Sequence, residues 1–355
     1  MSKVRSIVAM MAVLGILCCL VGCEAGDASM RTMPSEFFSA PMPSVTVPEQ
    51  GPSVVPTGPS VIPPTEVPTE PPTEPPTEPP VEPPTEPPAE PPTEPPTEPP
   101  EPPPVPEKPS TEYIGSLYTR GQLAAMSRKN RPYGPGQSKD SKGRPRGALD
   151  LQKKYGKYDT HFIGPDDGNI YLTFDLGWEY KGLTNVILDT LKEKNVKAVF
   201  FVVKSYCAHN PDVIRRIIDE GHVLANHSYH HTTLAELSID GIAEEIMDLH
   251  QYVLDRFGYE MTLFRPPSGE YSEQVLAIAQ SLGYRTVQWS YAYVDWEVNN
   301  QPDVAKSYNR LMKAAHSGCI YLLHTVSTTN ASLLGDLIDG LRGEGYGFNL
   351  FGEAA

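Results

Sequence analysis

The stretch Ile170–Gly177, IYLTFDLG, joins an apolar run to an aspartate and a glycine. A short run of β-branched, apolar and aromatic residues predicts a buried β-strand, and Asp175 would then stand at its carboxyl end. The carboxyl ends of parallel strands meet in one cleft, so similar segments elsewhere in the chain are predicted to converge there. Four later segments have polar residues after an apolar run: HSYHH (His227–His231), RPPSGEY (Arg265–Tyr271), VDW (Val294–Trp296) and LLHT (Leu322–Thr325).

Apolar runs alternate with helical patterns from about Arg128 to the end of the chain, a length that suits one α/β domain. This alternation predicts a parallel sheet, because parallel strands need a crossover connection that is usually a helix. The expected fold is a closed or nearly closed (β/α) barrel of about seven parallel strands, and a doubly wound open sheet is the alternative. The predicted strands are Ile170–Phe174, Ala198–Val203, His222–Ala225, Thr262–Phe264, Arg285–Trp289, Ile320–Leu323 and Gly347–Leu350.

Four of the segments between these runs have clear helix signals. Leu183–Leu191 and Ile242–Phe257 show the apolar period of an amphipathic helix. Asn210–Glu220 begins with a capping residue and a proline, and both this segment and Tyr271–Leu282 are followed by a glycine. A proline in the first turn and a glycine after the last turn are typical of helix boundaries.

The amino terminus has the pattern of an export signal. Lys3 and Arg5 precede the apolar stretch Ile7–Val21, which is shorter than the roughly 20 residues that span a bilayer. The stretch closes on LVGC, which resembles a bacterial lipobox ending at Cys23. We therefore expect residues 1–22 to be a lipoprotein signal peptide and Cys23 to carry the lipid, with an ordinary secretory signal or a short anchor helix as the alternative. The expected location is the outer face of the cell membrane, with the domain reaching into the wall.

Residues 23–110 are dominated by proline, glutamate and threonine, a composition that cannot bury enough apolar surface to build a core. From Pro71 the chain repeats Pro-Pro-X-Glu with a period of four. Such a segment predicts a disordered stalk that favours polyproline II, and residues 63–104 alone could extend roughly 130 Å. The stalk is expected to be a solvated spacer, with a docking site for a proline-binding module as the alternative. A short connecting segment, residues 111–127, would lead to a catalytic domain at residues 128–355.

Most of the formal net charge of −15 belongs to the stalk, because residues 1–110 contain 15 Asp and Glu against 4 Lys and Arg. The rest of the chain is only mildly acidic and has no basic stripe. A surface of this kind argues against nucleic acid as a partner.

Cys207 and Cys319 are the two cysteines outside the signal segment. One follows a predicted strand and the other begins one, so in a parallel sheet they would lie at opposite strand ends. A disulfide between them is not expected, and both are predicted to be buried thiols.

The polar residues of the five segments suit the hydrolysis of an amide. That reaction needs an activated water, stabilisation of the oxyanion and an acid that protonates the departing amine. Asp175 is the predicted general base, and Arg265 would keep its carboxylate ionised and oriented. His324 is the predicted acid, with Asp295 holding its other ring nitrogen.

His227 and His231 are four residues apart and could face one divalent metal ion, zinc or another transition metal. Such an ion would lower the pKa of a bound water and polarise the carbonyl. His222 and His230 are assigned structural roles. Three tryptophans are candidates either for sugar stacking or for core packing: Trp178, Trp289 and Trp296.

The five segments in this order resemble the NodB-homology polysaccharide deacetylases. The resemblance is closer still to the delta-lactam-biosynthetic muramic acid de-N-acetylases of spore-forming bacteria, and it covers the chain from about Asn130 to the carboxyl terminus. The matching segments are YLTFDLGWE, DEGHVLANHSYHH, LFRPPSGEYS, WSYAYVDWEVNNQ and CIYLLHTVSTTNA.

The resemblance implies a distorted (β/α) barrel and a metal-dependent deacetylase that acts on the glycan strands of peptidoglycan. It would remove the acetyl group from N-acetylmuramic acid and free an amine that closes to a muramic δ-lactam in spore cortex. Deacetylation of another wall polysaccharide, or glycan binding without catalysis, are the alternatives. Carried over by position, the roles are a base at Asp175, metal ligands at His227 and His231, a base-orienting Arg265, and an acid at His324 partnered by Asp295.

One position departs from the family pattern. The general family has TFDDG, in which the second Asp is a metal ligand, and the muramic branch typically has Asn there, whereas this chain has Leu176. Leucine cannot coordinate a metal, so weaker binding is expected than at a site with three protein ligands. Either Asp175 coordinates the ion directly or Glu179 replaces the missing ligand.

Overall fold

Parallel strands form the centre of the part of the chain that the computed structural model describes, residues 117–351. The predictions for residues 1–116, which include the signal peptide, lipidation of Cys23 and the stalk, lie outside the described residues. The strands are β1 Thr160–His161, β2 Asn169–Leu176, β3 Val199–Val202, β4 Val223–Asn226, β5 Leu263–Phe264, β6 Arg285–Val287, β7 Tyr291–Ala292, β8 Cys319–His324 and β9 Gly347–Phe348.

The sheet has the strand order β1-β6-β5-β4-β3-β2-β8-β7, and every pairing is parallel. Strand β9 also pairs in parallel with the amino end of β2. Strands β2 to β6 are neighbours in chain order, so the chain winds in one direction around a curled sheet. The prediction of a distorted (β/α) barrel is therefore confirmed, and the doubly wound alternative is wrong.

Strand β1, at one edge of the curled sheet, approaches β8, which is the neighbour of the other edge strand β7. The backbone N–H of Gly164, just after β1, donates to the carbonyl of Gly318, just before β8, at 2.8 Å. Gly318 has a φ of 75°, and a side chain there would collide with the carbonyl oxygens of Gly164 and Pro165. A glycine is thus required where β1 and β8 approach each other.

All seven predicted strands are present within residues 117–351, and the structure adds β1 and β7. β1 consists of two polar residues and β7 of two half-buried ones, so neither is a buried apolar run of the kind that predicts a strand. Every residue of strand β2 from Ile170 to Leu176 is buried, as expected for a strand that is covered on both faces. Its Phe174 stacks on Phe200 of β3, with ring centroids 5.2 Å apart.

Helices cover the outside of the sheet. The four predicted helices correspond to α3, α5, α6 and α7 below, and the glycines predicted to end α5 and α7 have φ of 77° and 85°. None of the helices in the described residues is long and apolar enough to cross a bilayer. The helices are α1 Arg120–Ala125, α2 Arg146–Tyr155, α3 Leu183–Glu193, α4 Lys204–His209, α5 Pro211–Asp219, α6 Ile239–Phe257, α7 Glu273–Ser281, α8 Val304–Ala314 and α9 Thr328–Gly343.

Residues 117–127, expected to be a connecting segment, contain α1, and its Leu123 is fully buried. Cys207 and Cys319 are both free and buried, which confirms the prediction of two unpaired thiols. Burial raises the pKa of each thiol to about 12, so neither is a reactive nucleophile at neutral pH.

Candidate active site

Strand register places the predicted base beside the predicted acid. Asp175 in β2 is the pairing partner of His324 in β8 and of Phe201 in β3. Residues paired in this way direct their side chains to the same face of the sheet. His227 directly follows β4 and Arg265 directly follows β5, so both enter the same end of the barrel. The predicted convergence of these residues is what the structure shows.

Arg265 is fully buried and organises the side chain of Asp175. Its Nη1 donates to Asp175 Oδ1 at 2.6 Å, its Nη2 donates to Thr173 Oγ1 at 2.9 Å, and its Nε donates to the Val287 carbonyl at 2.9 Å. The guanidinium also lies 4.0 Å from the centroid of the Phe201 ring. Burial lowers the pKa of Arg265, and this effect outweighs the negative charge of Asp175, which raises it. The guanidinium nevertheless remains protonated, as arginines in proteins do.

The ring of His227 is oriented by a backbone carbonyl. Its Nδ1 lies 2.8 Å from the Arg265 carbonyl oxygen, which can only accept, so Nδ1 carries the proton. In the neutral ring Nε2 would present a lone pair, and this atom lies 3.4 Å from Asp175 Oδ2. Burial lowers the pKa of His227 and outweighs the charge of Asp175, which favours the neutral imidazole.

His231 lies beside His227, with ring centroids 4.9 Å apart. Burial, reinforced by the neighbouring His227, holds the pKa of His231 well below its ordinary value. The backbone of His231 has a φ of 59°, and that of Ser228 has a φ of 69°. Two non-glycine residues in the left-handed region within one short loop cost free energy that surrounding contacts must offset.

Two residues that sequence reasoning missed hold this loop. Asn226 Oδ1 accepts from the Ser228 N–H at 2.9 Å. Glu245 of α6 accepts from the His230 N–H at 2.9 Å and from His230 Nδ1 at 2.6 Å, and its own carbonyl accepts from the Tyr229 N–H at 2.9 Å. Glu245 is a carboxylate among the buried apolar residues of the amphipathic helix α6. A charged residue at such a position is rarely buried without a partner, and this is the sequence signal that could have identified Glu245.

The predicted acid is held by a second network. Asp295 Oδ1 accepts from His324 Nδ1 at 2.6 Å, and its Oδ2 accepts from the His324 backbone N–H at 2.9 Å and from Asn330 Nδ2 at 2.6 Å. Asn330 Nδ2 also donates to the His324 carbonyl at 3.2 Å, and Tyr293 donates its hydroxyl to Asn330 Oδ1. Asn330 and Tyr293 were not predicted, because nothing local marks a helix asparagine or a loop tyrosine as a partner of Asp295.

The pKa of His324 shifts in the opposite direction to that of His227. Burial opposes the charged form, but the charge and hydrogen bond of Asp295, together with the charge of Asp175, raise the pKa of His324 above its ordinary value. A protonated imidazole whose Nδ1 is held by Asp295 can donate a proton only from Nε2. The geometry therefore suits His324 to general acid chemistry.

The tryptophans divide between core and cleft. Trp289 is buried, with its ring centroid 5.1 Å from that of Tyr133, and so belongs to the core. Trp296 is half-buried and its ring lies 5.4 Å from that of His324. Trp178 is half-buried against Tyr180 at 5.4 Å. Trp296 is thus placed beside the reacting groups.

The histidines assigned structural roles have structural contacts. His222 is buried, and its Nδ1 accepts from the Ala198 N–H at 3.2 Å. The ring of His230 is exposed and is bound to Glu245, as described above.

The residues present supply part of a metal site. His227 and His231 are adjacent, and burial favours the neutral imidazoles that bind transition metals. Leu176 is fully buried in the apolar core and offers no donor. Within residues 117–351, no three His, Cys, Asp or Glu side chains are preassembled around one point. The two imidazoles fit a divalent ion, and the structure does not present a third ligand ready-made.

Comparison with known proteins places the site in a family. The polysaccharide deacetylase family model matches residues 163–287. The chain is 44% identical over 194 residues to the peptidoglycan-N-acetylmuramic acid deacetylase PdaA of Bacillus subtilis, covering 54% of this chain and 73% of that protein. The structure of B. subtilis PdaA, described as a family 4 carbohydrate esterase, has a TM-score of 0.59 and 38% identity, covering 63% of this chain and 96% of that one. A family 4 carbohydrate esterase from Bacillus anthracis has a TM-score of 0.52 and 34% identity, covering 64% of this chain and 96% of that one.

The chain therefore belongs to the polysaccharide deacetylase family and is a carbohydrate deacetylase. The family resemblance predicted from the five segments is confirmed. The matched residues include Asp175, His227, His231 and Arg265, and they end before Asp295 and His324.

Proposed function

We propose that this chain hydrolyses the N-acetyl group of N-acetylmuramic acid in the glycan strands of peptidoglycan. The observation that carries the proposal is the pairing of Asp175 and His324 on adjacent strands, each with its own buried partner. The similarity to B. subtilis PdaA, which is named as a peptidoglycan-N-acetylmuramic acid deacetylase, supports this choice of sugar.

Asp175 is the general base in this proposal. Arg265 holds Oδ1, so Oδ2 is the oxygen that takes a proton from the attacking water. The buried guanidinium forms an ion pair with the carboxylate at 2.6 Å. Arg265 is itself held by Thr173 and Val287, so the carboxylate has one orientation.

His324 is the general acid. Its raised pKa keeps it protonated at a higher pH than an ordinary histidine, and its Nε2 delivers the proton to the departing amine. Asp295 fixes the ring and stabilises the positive charge before the proton is transferred. Asn330 donates to the second oxygen of Asp295 and so holds the carboxylate in place.

His227 and His231 are the residues that would hold a divalent metal ion. Such an ion supplies a polarised carbonyl and a bound water whose pKa falls toward about 7. The carbonyl of Arg265 fixes the tautomer of His227 and leaves Nε2 available for coordination.

The cellular setting is part of the proposal. Deacetylation frees an amine that can close on the lactyl carboxyl of the same sugar, which would give a muramic δ-lactam of the kind found in spore cortex. The lipobox and the Pro-rich repeat favour a protein anchored by Cys23 to the outer face of the membrane, with the catalytic domain reaching into the wall.

Mass spectrometry of wall fragments tests the proposed reaction. The purified chain is incubated with fragments that contain N-acetylmuramic acid, with fragments that contain only N-acetylglucosamine as the comparison. The expected product from the muramic fragments has lost an acetyl group, and after lactam closure it has also lost water. Absence of any mass change with every divalent ion tried would refute the proposal, and turnover of the glucosamine fragments alone would reassign the substrate.

A wall-tethered glycan-binding protein without catalysis is the second candidate, and the burial of Leu176 favours it. It predicts saccharide binding without turnover. The complete set of Asp175, Arg265, Asp295 and His324, each with its hydrogen-bond partner, argues against it, because binding alone does not need a base and an acid.

A further inference from the structure

Gln301 ends the segment WSYAYVDWEVNNQ, and its side chain bridges the loop that follows β7 to the loop that follows β8. On one side, its Nε2 donates to the backbone carbonyls of Asp295 at 2.8 Å and of Glu297 at 3.1 Å. On the other side, its Oε1 accepts from the Ser327 hydroxyl at 2.7 Å and from the Thr329 backbone N–H at 3.3 Å. One half-buried amide therefore holds two loops that leave different strands.

The partners of the Gln301 amide fix its orientation. The carbonyl oxygens of Asp295 and Glu297 can only accept, so the NH₂ group has to face them. The backbone N–H of Thr329 can only donate, so the amide oxygen has to face it. An ionised glutamate has nearly the same shape but no donor, and it would turn a negatively charged oxygen toward two carbonyl oxygens. The position thus requires an amide.

The contacts of Gln301 close a ring of hydrogen bonds that includes the carboxylate of Asp295. Asn330 Nδ2 donates to Asp295 Oδ2 at 2.6 Å, and the Asn330 backbone N–H donates to Ser327 Oγ at 3.1 Å. Ser327 then donates its own proton to Gln301, which holds the backbone of Asp295. Asp295, Ser327 and Asn330 are all buried, at 1% exposure or less. In a buried network of this kind, losing one member weakens the placement of the others.

The neighbouring Asn300 has the same functional group but no part in this ring. Its side chain is exposed, and its Nδ2 donates to the Glu297 carboxylate at 3.0 Å. An exposed contact of this type contributes little, because water replaces it readily. Asn300 is therefore a matched control for Gln301, since the same change from amide to carboxylate can be made at both positions.

We propose that Gln301 is a positioning residue for the general acid, and that it acts by holding the loop of Asp295 against His324. This inference rests on the proposed function only in taking His324 as the acid. The ring of hydrogen bonds keeps the Asp295 carboxylate in place at His324 Nδ1, 2.6 Å away. Without the bridge, the two loops separate more easily and the imidazole loses its fixed partner.

Steady-state kinetics of the full chain with Gln301→Glu test the effect on the reaction. Two donors are lost and a charge is added, so kcat is expected to fall by about 10-fold to 100-fold, with KM changed by less than about threefold. Asn300→Asp is expected to keep both values within about twofold of the wild type. Equal kcat values in the two variants, or a change confined to KM, would overturn the inference.

NMR of the chain without substrate gives a second measurement that needs no turnover. The proton between His324 Nδ1 and Asp295 is expected to exchange with solvent at least about 10-fold faster in Gln301→Glu than in the wild type or in Asn300→Asp. Unchanged exchange would overturn the inference. If Gln301→Glu does not fold, Gln301→Ala, which adds no charge, is judged by the same two measurements. A wild-type chain that releases no acetate would refute the proposed function, and the exchange rates would still decide this inference.

Discussion

His227 and His324 are two buried histidines of one cleft, and their surroundings differ in the acceptor that each Nδ1 meets. His227 donates to a backbone carbonyl, and His324 donates to the carboxylate of Asp295. Burial lowers the pKa of the first ring, whereas the carboxylate raises that of the second above its ordinary value. A neutral acceptor thus leaves an imidazole as a lone-pair donor, and a charged acceptor makes it an acid.

Asp175 interacts with both His227 and His324, so removing its charge is expected to have the largest effect on the deacetylation rate. Asp175→Asn should lower the deacetylation rate by roughly 10²-fold to 10⁴-fold, because it removes the carboxylate that is proposed to take the proton from water. The measurement is initial rate on muramic fragments, with the melting temperature as a check that the chain still folds. A folded variant with an unimpaired rate would remove Asp175 from the role of base.

Asp295→Asn makes the partner of His324 neutral, like the partner of His227, and should reduce the rate by about 10²-fold. In the proposed mechanism the rate requires protonated His324, so activity falls as pH rises through its pKa, which Asp295 raises above the ordinary value against the effect of burial. Loss of the carboxylate lowers that pKa, and the basic limb of the pH–rate profile is expected to move to lower pH. An unmoved basic limb would show that His324 is not the group that titrates there.

Asn330→Ala tests how the orientation of Asp295 affects His324, because it removes a hydrogen-bond donor to Asp295 and leaves the charges of Asp295 and His324 in place. A lost hydrogen bond to a charged group costs about 1.5–3 kcal/mol, so a rate loss of roughly 10-fold to 100-fold is expected. Ser332→Ala on the same helix is the control, since its hydroxyl bonds only to the Thr328 carbonyl. Equal rates in the two variants would contradict a positioning role for Asn330.

Glu245→Gln is expected to have the smallest effect on the rate, and it acts through the loop that carries His227 and His231. The amide keeps an acceptor for the His230 N–H but loses the charge that binds the His230 ring, so the loop of His227 and His231 loosens. A rate loss of about 3-fold to 10-fold is expected, with a lower zinc affinity. Glu244→Gln, one position away on the exposed face of α6, is the control. If both variants behave as the wild type does, the loop does not depend on Glu245.

Strand positions and their terminal residues were predictable, because parallel strands of a barrel bury both faces and appear as apolar runs with functional groups at their carboxyl ends. The strands β1 and β7 were not, since β1 is two polar residues and β7 two half-buried ones rather than a buried apolar run. Glu245 and Asn330 were missed for another reason. Both lie on helices, and which buried helix position meets a strand end depends on how the helix packs.

The order of residues along the chain was sufficient to mark Asp175, His227, Arg265, Asp295 and His324, because each follows or ends an apolar run. The protonation preferences of the histidines required the folded arrangement. Each pKa depends on burial and on atoms only a few ångströms away, and those atoms come from distant parts of the chain. The same holds for Leu176: the motif departs from the family pattern there, and only the structure shows that Asp175 lies 3.4 Å from the His227 ring while Glu179 is bound to Tyr206.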